Sequence, residues 1–88
     1  MWSKNKRRMS EAERRHVARV KEQPCAVCGA AGPSEAHEIQ QGEWFCSIAL
    51  CPDCHRGPQG IHGDKTLWRI YKLNEIEALN ITNGRIFG

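Results

Sequence analysis

Two C-x-x-C pairs, Cys25 with Cys28 and Cys51 with Cys54, lie 22 residues apart in a chain of only 88. A chain this short buries a modest core, and domains of this size often rely on a metal or on disulfides to stay folded. Each pair forms a turn that can aim both sulfurs at one ion, and two pairs complete a tetrahedral shell of four thiolates. Such a shell is closed, so the ion it holds is structural, and zinc is the expected cofactor. Gly29 follows the first pair, where a positive φ is often needed. Disulfides or redox pairs are the competing reading. An odd count of five cysteines fits disulfides poorly. A redox pair usually opens a helix after a strand, which suits Cys51 and Cys54 but not the first pair. Cys46 is the leftover thiol, expected as a small buried filler within a strand.

No apolar run is long enough to span a membrane, and the charged N-terminus lacks a signal-peptide core. The expected setting is a reducing cytosol, with no membrane partner. The net charge of +3 is unevenly spread. Residues 1–23 carry eight basic and three acidic side chains, whereas residues 24–88 carry five basic and seven acidic ones. A basic arm on a near-neutral body suggests a polyanion partner, most often nucleic acid. Lys4, Lys6, Arg7, Arg8, Arg14 and Arg15 are the candidate contacts; the bland alternative is a solvated tail.

The length predicts one domain over residues 10–88, preceded by a flexible basic arm over residues 1–9. Ser10 and Glu13 form a capping-box pattern that opens a helix running to about Glu22, before Pro24. Met9, Ala12, His16, Val17 and Val20 fall near one stripe, so His16 reads as a packed or half-exposed side chain rather than a ligand. Residues 35–40 and 45–50 read as two strands joined by a turn at Gln41-Gly42. Asp64 is a plausible N-cap for a helix with Leu67, Ile70, Tyr71 and Leu73 on its apolar face, and Trp44 and Trp68 are expected in the core. Asn74 and Glu77 predict a further short helix over residues 75–81, with a turn at Asn83-Gly84. The class is α+β.

Three of the four histidines, His37, His55 and His62, flank the cysteines. Imidazoles there can simply support the zinc shell. Their order is more specific: C-A-V-C-G, then E-A-H-E-I, then I-A-L-C-P-D-C-H, then G-I-H-G. Over residues 24–68 this resembles the HNH nucleases of the His-Me finger (ββα-metal) superfamily, and is most similar to small phage and prophage members with a four-cysteine zinc site. The resemblance implies a β-hairpin and a helix that grip one divalent cation, such as Mg²⁺ or Mn²⁺. It implies cleavage of a DNA phosphodiester by a water that a strand histidine activates.

By the same resemblance, His55 is a ligand of the catalytic cation, His62 a candidate for the later ligand, and His37 the strand histidine. Many members place two adjacent polar residues at that strand end, where this chain has Ala36-His37-Glu38. Either His37 is the base and one ligand is missing, or His37 binds metal and Glu38 is the base. In a regular strand Glu38 points to the opposite face, which ranks His37 ahead of it as base. The Asn of the family name has no counterpart near Cys46. Gly57, Pro58 and Gly60 break any helix after His55, so His55 and His62 meet only if that loop folds back.

The resulting expectation is a small zinc-stabilised ββα-metal domain with an N-terminal basic helix and C-terminal helices. It would act as a metal-dependent DNA endonuclease in the cytoplasm of a bacterial host. The alternative is a non-catalytic zinc module that binds DNA or a protein partner.

Overall fold

The computed structural model describes residues 8–88. Lys4, Lys6 and Arg7 therefore lie outside the described residues, as does most of the expected arm.

Helix α1 (Glu11–Lys21) starts where the sequence signals it. The Ser10 hydroxyl accepts from the Glu13 N–H, and the Glu13 carboxylate accepts from the Ser10 N–H at 2.6 Å. Glu11 and Glu13 in the first turn and Arg19 and Lys21 in the last complement the helix dipole. The buried face is Glu13, His16 and Val20, while Ala12 is exposed and Val17 half-buried. The inward turn of the capping carboxylate rotates the expected stripe.

Strands β1 (Glu35–Glu38) and β2 (Ser47–Leu50) pair antiparallel, with His37 opposite Ile48 and Ala36 opposite Ala49. Both are shorter than expected. A single 3₁₀ turn at Trp44–Cys46 replaces the start of the second strand. The Ile39 N–H bonds to the Cys46 carbonyl at 3.1 Å, and Gly42 takes a φ of +89° inside the turn. Cys46 is consequently half-buried in that turn rather than enclosed in a strand, Trp44 is half-buried rather than core, and Phe45 is exposed. All four residues of β2 are buried. Helices pack against this strand, so it lacks the alternation of a half-solvated one.

Helix α2 (Pro52–His55) is one turn long, with Cys51 as N-cap and Pro52 at its first position, where a missing N–H costs nothing. Helix α3 (Thr66–Ile70) follows a loop. Its N-cap is Lys65, at a φ of +65°, rather than Asp64; the Asp64 carboxylate accepts the Thr66 N–H and hydroxyl from one residue further out. Trp68 is buried as expected, and its indole N–H donates to the Cys54 carbonyl at 2.9 Å. Ile70 and Tyr71 are exposed, because the helix ends at Ile70 and Lys72 turns the chain at a φ of +57°. Helix α4 (Glu75–Phe87) opens with the Asn74–Glu77 capping box but runs through Asn83-Gly84, where a turn was expected. Ala78 and Thr82 are buried, and the Thr82 hydroxyl accepts from the Ala49 N–H of β2 at 3.2 Å. That docking outweighs the ~1 kcal/mol that a helical glycine costs relative to alanine.

The core joins Val27, Ile48, Leu50, Trp68 and Ala78 to two cysteines, Cys25 and Cys54. Among the described residues no helix is long and apolar enough to cross a membrane.

Candidate functional site

The four cysteines of the two pairs converge. Cys25 and Cys28 sit on a turn closed by the Gly29 N–H on the Cys25 carbonyl, with Gly29 at a φ of +80°. Cys51 and Cys54 sit at the two ends of the first turn of α2. All four sulfurs lie within 4.8 Å of one another, and all five cysteines are free thiols. A tetrahedron with Zn–S bonds of ~2.3 Å has edges of ~3.8 Å. The Cys28 and Cys51 sulfurs are 3.6 Å apart, so the donor set fits a metal ion such as zinc. Burial alone would raise the Cys25 thiol, but the N–H groups of Cys28, Cys51 and Val27 outweigh it and bring it down to about 7. Burial pushes Cys54 and Cys51 up, and for Cys54 the nearby Cys25 charge adds to the rise. A cation at the centre is what lets sulfurs packed this closely carry negative charge together.

Three imidazoles form a second cluster. His37 comes from β1, His55 from the end of α2 and His62 from the loop after it. One ring nitrogen from each lies within 4.8 Å of the others. The ring centroids are 5.1 Å apart for His37 and His55, 5.0 Å for His37 and His62, and 4.9 Å for His55 and His62. The loop does fold back: the Ile61 N–H bonds to the Cys54 carbonyl and the His62 N–H to the His55 carbonyl. An open cavity of about 460 Å³ borders all three rings and Glu38. Desolvation, and then the charges of His37 and His55, keep His62 below the usual histidine range, and Glu75 partly offsets them. A neutral imidazole there is ready to hold a cation.

Carboxylates hold two of these rings. The His55 Nδ1 lies 2.8 Å from Glu35, which Arg56 grips with two nitrogens, each 2.8 Å from its carboxylate. Hydrogen bonds from Arg56 and His55 keep the Glu35 carboxyl below its usual range, so it is an acceptor and His55 Nδ1 carries the proton. The His37 Nε2 lies 2.7 Å from Glu75 at the start of α4. Neither glutamate is among the site residues expected from the sequence. Glu35 shares a strand face with His37, an alternation visible in the sequence, whereas Glu75 is 38 residues from its partner and has no local signal.

Glu38 ends β1, its carboxylate accepts the Gly42 N–H at 2.8 Å, and it lines the cavity together with its strand neighbours Ala36 and His37. His16 is buried against Phe45 and Phe87, far from any ligand role. Arg8, Arg14 and Arg15 are exposed. No known family model, curated protein or solved structure matches this chain.

Proposed function

We propose that the chain is a metal-dependent DNA endonuclease of HNH type, with a structural zinc at the four cysteines. The observation that carries this reading is the convergence of His37, His55 and His62, from three separate segments, on one point beside an open cavity. That convergence supports His37 as a cation ligand together with His55 and His62. Glu38 is then the proton acceptor. One of its oxygens is engaged by the Gly42 N–H, and the carboxylate keeps lone pairs for a water in the shared cavity. A divalent cation such as Mg²⁺ or Mn²⁺ at the imidazoles supplies positive charge to the scissile phosphate and the leaving oxygen. Arg8, Arg14 and Arg15, with Lys4, Lys6 and Arg7, give sequence-independent phosphate contacts.

Plasmid nicking with Mg²⁺ or Mn²⁺ tests the reading, with each variant checked for fold and zinc content. His37→Ala and His55→Ala should lose both the second cation and cutting. Glu38→Gln should keep the second cation and lose cutting. A wild type that cuts no DNA with any divalent metal would leave a non-catalytic zinc module that binds DNA or a protein.

A further inference from the structure

We propose that Glu75 is the positioning residue of the histidine centre: its carboxylate holds the His37 ring by Nε2 and leaves Nδ1 as the free lone pair for a cation. The inference rests on reading the three imidazoles as a cation centre. It assigns a role to a residue outside the segment that carries the family resemblance.

The 2.7 Å contact joins a buried imidazole to a half-buried carboxylate, with side-chain exposures of 8% and 35%. A charge-assisted hydrogen bond in such a setting is stronger than a surface ion pair. Glu75 is also held in place. It shares a face of α4 with Ala78 and Thr82, three and seven residues on, and both are buried. Thr82 is bonded to Ala49, the neighbour of Ile48, which pairs with His37. The capping box at Asn74 fixes the first turn, and a helix N-terminus favours a carboxylate at that position. His55 repeats the device with Glu35 on its own Nδ1, leaving Nε2 free. Two of the three imidazoles thus have one nitrogen committed to a carboxylate, and the two carboxylates come from unrelated segments. Partners of this kind fix the tautomer and raise the basicity of the ligating nitrogen.

The test uses the full zinc-loaded chain and Co²⁺ as the probe for the second cation, read by calorimetry and visible absorbance. Glu75→Ala should bind the second Co²⁺ about 10–100-fold more weakly. Glu75→Gln should recover part of that loss, since its amide oxygen accepts the same proton. Independently, ¹⁵N spectra of the wild type without a second cation should show the neutral His37 proton on Nε2. A Glu75→Ala protein that is less heat-stable but binds Co²⁺ as tightly as wild type would make Glu75 a purely structural clamp and overturn the proposal. So would a wild-type His37 protonated on Nδ1, a measurement that stands even if Glu75→Ala does not fold. A wild type that binds the second Co²⁺ but cuts no DNA defeats the nuclease reading and leaves this one standing. A wild type that binds no second Co²⁺ defeats both.

Discussion

Removing the metal from the four cysteines should unfold the domain. The sulfurs tie the turn at Cys25–Cys28 to the start of α2, and no helix or strand lies in residues 22–34 or 56–65 to hold those segments otherwise. Among the described residues the large apolar side chains of the core are few: Val20, Val27, Ile48, Leu50 and Trp68. At about 1.5–3 kcal/mol each, the five supply roughly 8–15 kcal/mol. A structural zinc contributes about 10–16 kcal/mol at neutral pH. That matches or exceeds the whole net stability of an ordinary domain, ~5–15 kcal/mol. Cys25 and Cys54, at 0% and 1% exposure, are also core members, so losing the ion leaves uncompensated sulfur at the centre. Chelation followed by far-ultraviolet circular dichroism, with metal content measured in parallel, reads the outcome. One zinc per chain and loss of the folded signal on its removal are expected. Cys25→Ser or Cys54→Ser should give insoluble protein. Cys46→Ser, half-buried in the 3₁₀ turn and outside the cluster, should change stability by no more than about 0.5 kcal/mol. A chelated protein that keeps its spectrum and its unfolding midpoint would refute the reasoning.

His16 is buried with its Nε2 unpartnered among the described residues, and burial followed by the Arg19 charge holds it below the usual histidine range. The unfolded chain then binds more protons than the folded one below about pH 6.5, so stability falls as pH drops through that value. His16→Leu should remove this acid-side loss and add about 1 kcal/mol at pH 7 by deleting an unsatisfied nitrogen; urea midpoints of variant and wild type that decline in parallel from pH 7 to 5.5 would count against it. Deleting residues 1–8 removes Lys4, Lys6, Arg7 and Arg8 and should flatten the log–log salt slope of DNA binding by up to about 3–4, at every sequence tested. An unchanged slope would identify the arm as a solvated tail.

What the sequence revealed was local. Two cysteine pairs and two capping boxes depend on spacings of three residues, and all four appear where they were read. The hairpin was legible, but its ends were not, because the Ile39–Cys46 bond and the 3₁₀ turn belong to a backbone closure that no side-chain alternation marks. The extension of α4 past Asn83-Gly84 depends on Thr82 meeting Ala49, 33 residues away. The carboxylate partners of the histidines are similarly distant, at 20 residues for Glu35 with His55 and 38 for Glu75 with His37. Periodicity and spacing carry no information about such pairs until the fold has placed them.

The histidine centre also depends on a glycine that looks at first like a mere helix breaker. The loop carrying His62 returns to α2 through two consecutive carbonyls: Cys54 accepts from the Ile61 N–H and His55 from the His62 N–H. Gly60 lies directly beneath this return. A Cβ there would stand 2.6 Å from the Asp53 carbonyl oxygen and 2.8 Å from the Cys54 carbonyl carbon. Both are backbone atoms of the turn that presents Cys54 to one centre and His55 to the other, so neither can yield as a flexible side chain would. Gly60→Ala must therefore lift the loop, at a cost of about 1–3 kcal/mol typical of overpacking, and carry His62 away from His37 and His55. The zinc should survive, since Cys25, Cys28, Cys51 and Cys54 all precede the displaced loop. The expected variant has one zinc, a lower melting temperature and weakened binding of a second Co²⁺. Wild-type melting together with wild-type Co²⁺ affinity would show that the loop accommodates the methyl group, and that the close return to α2 does not set the position of His62.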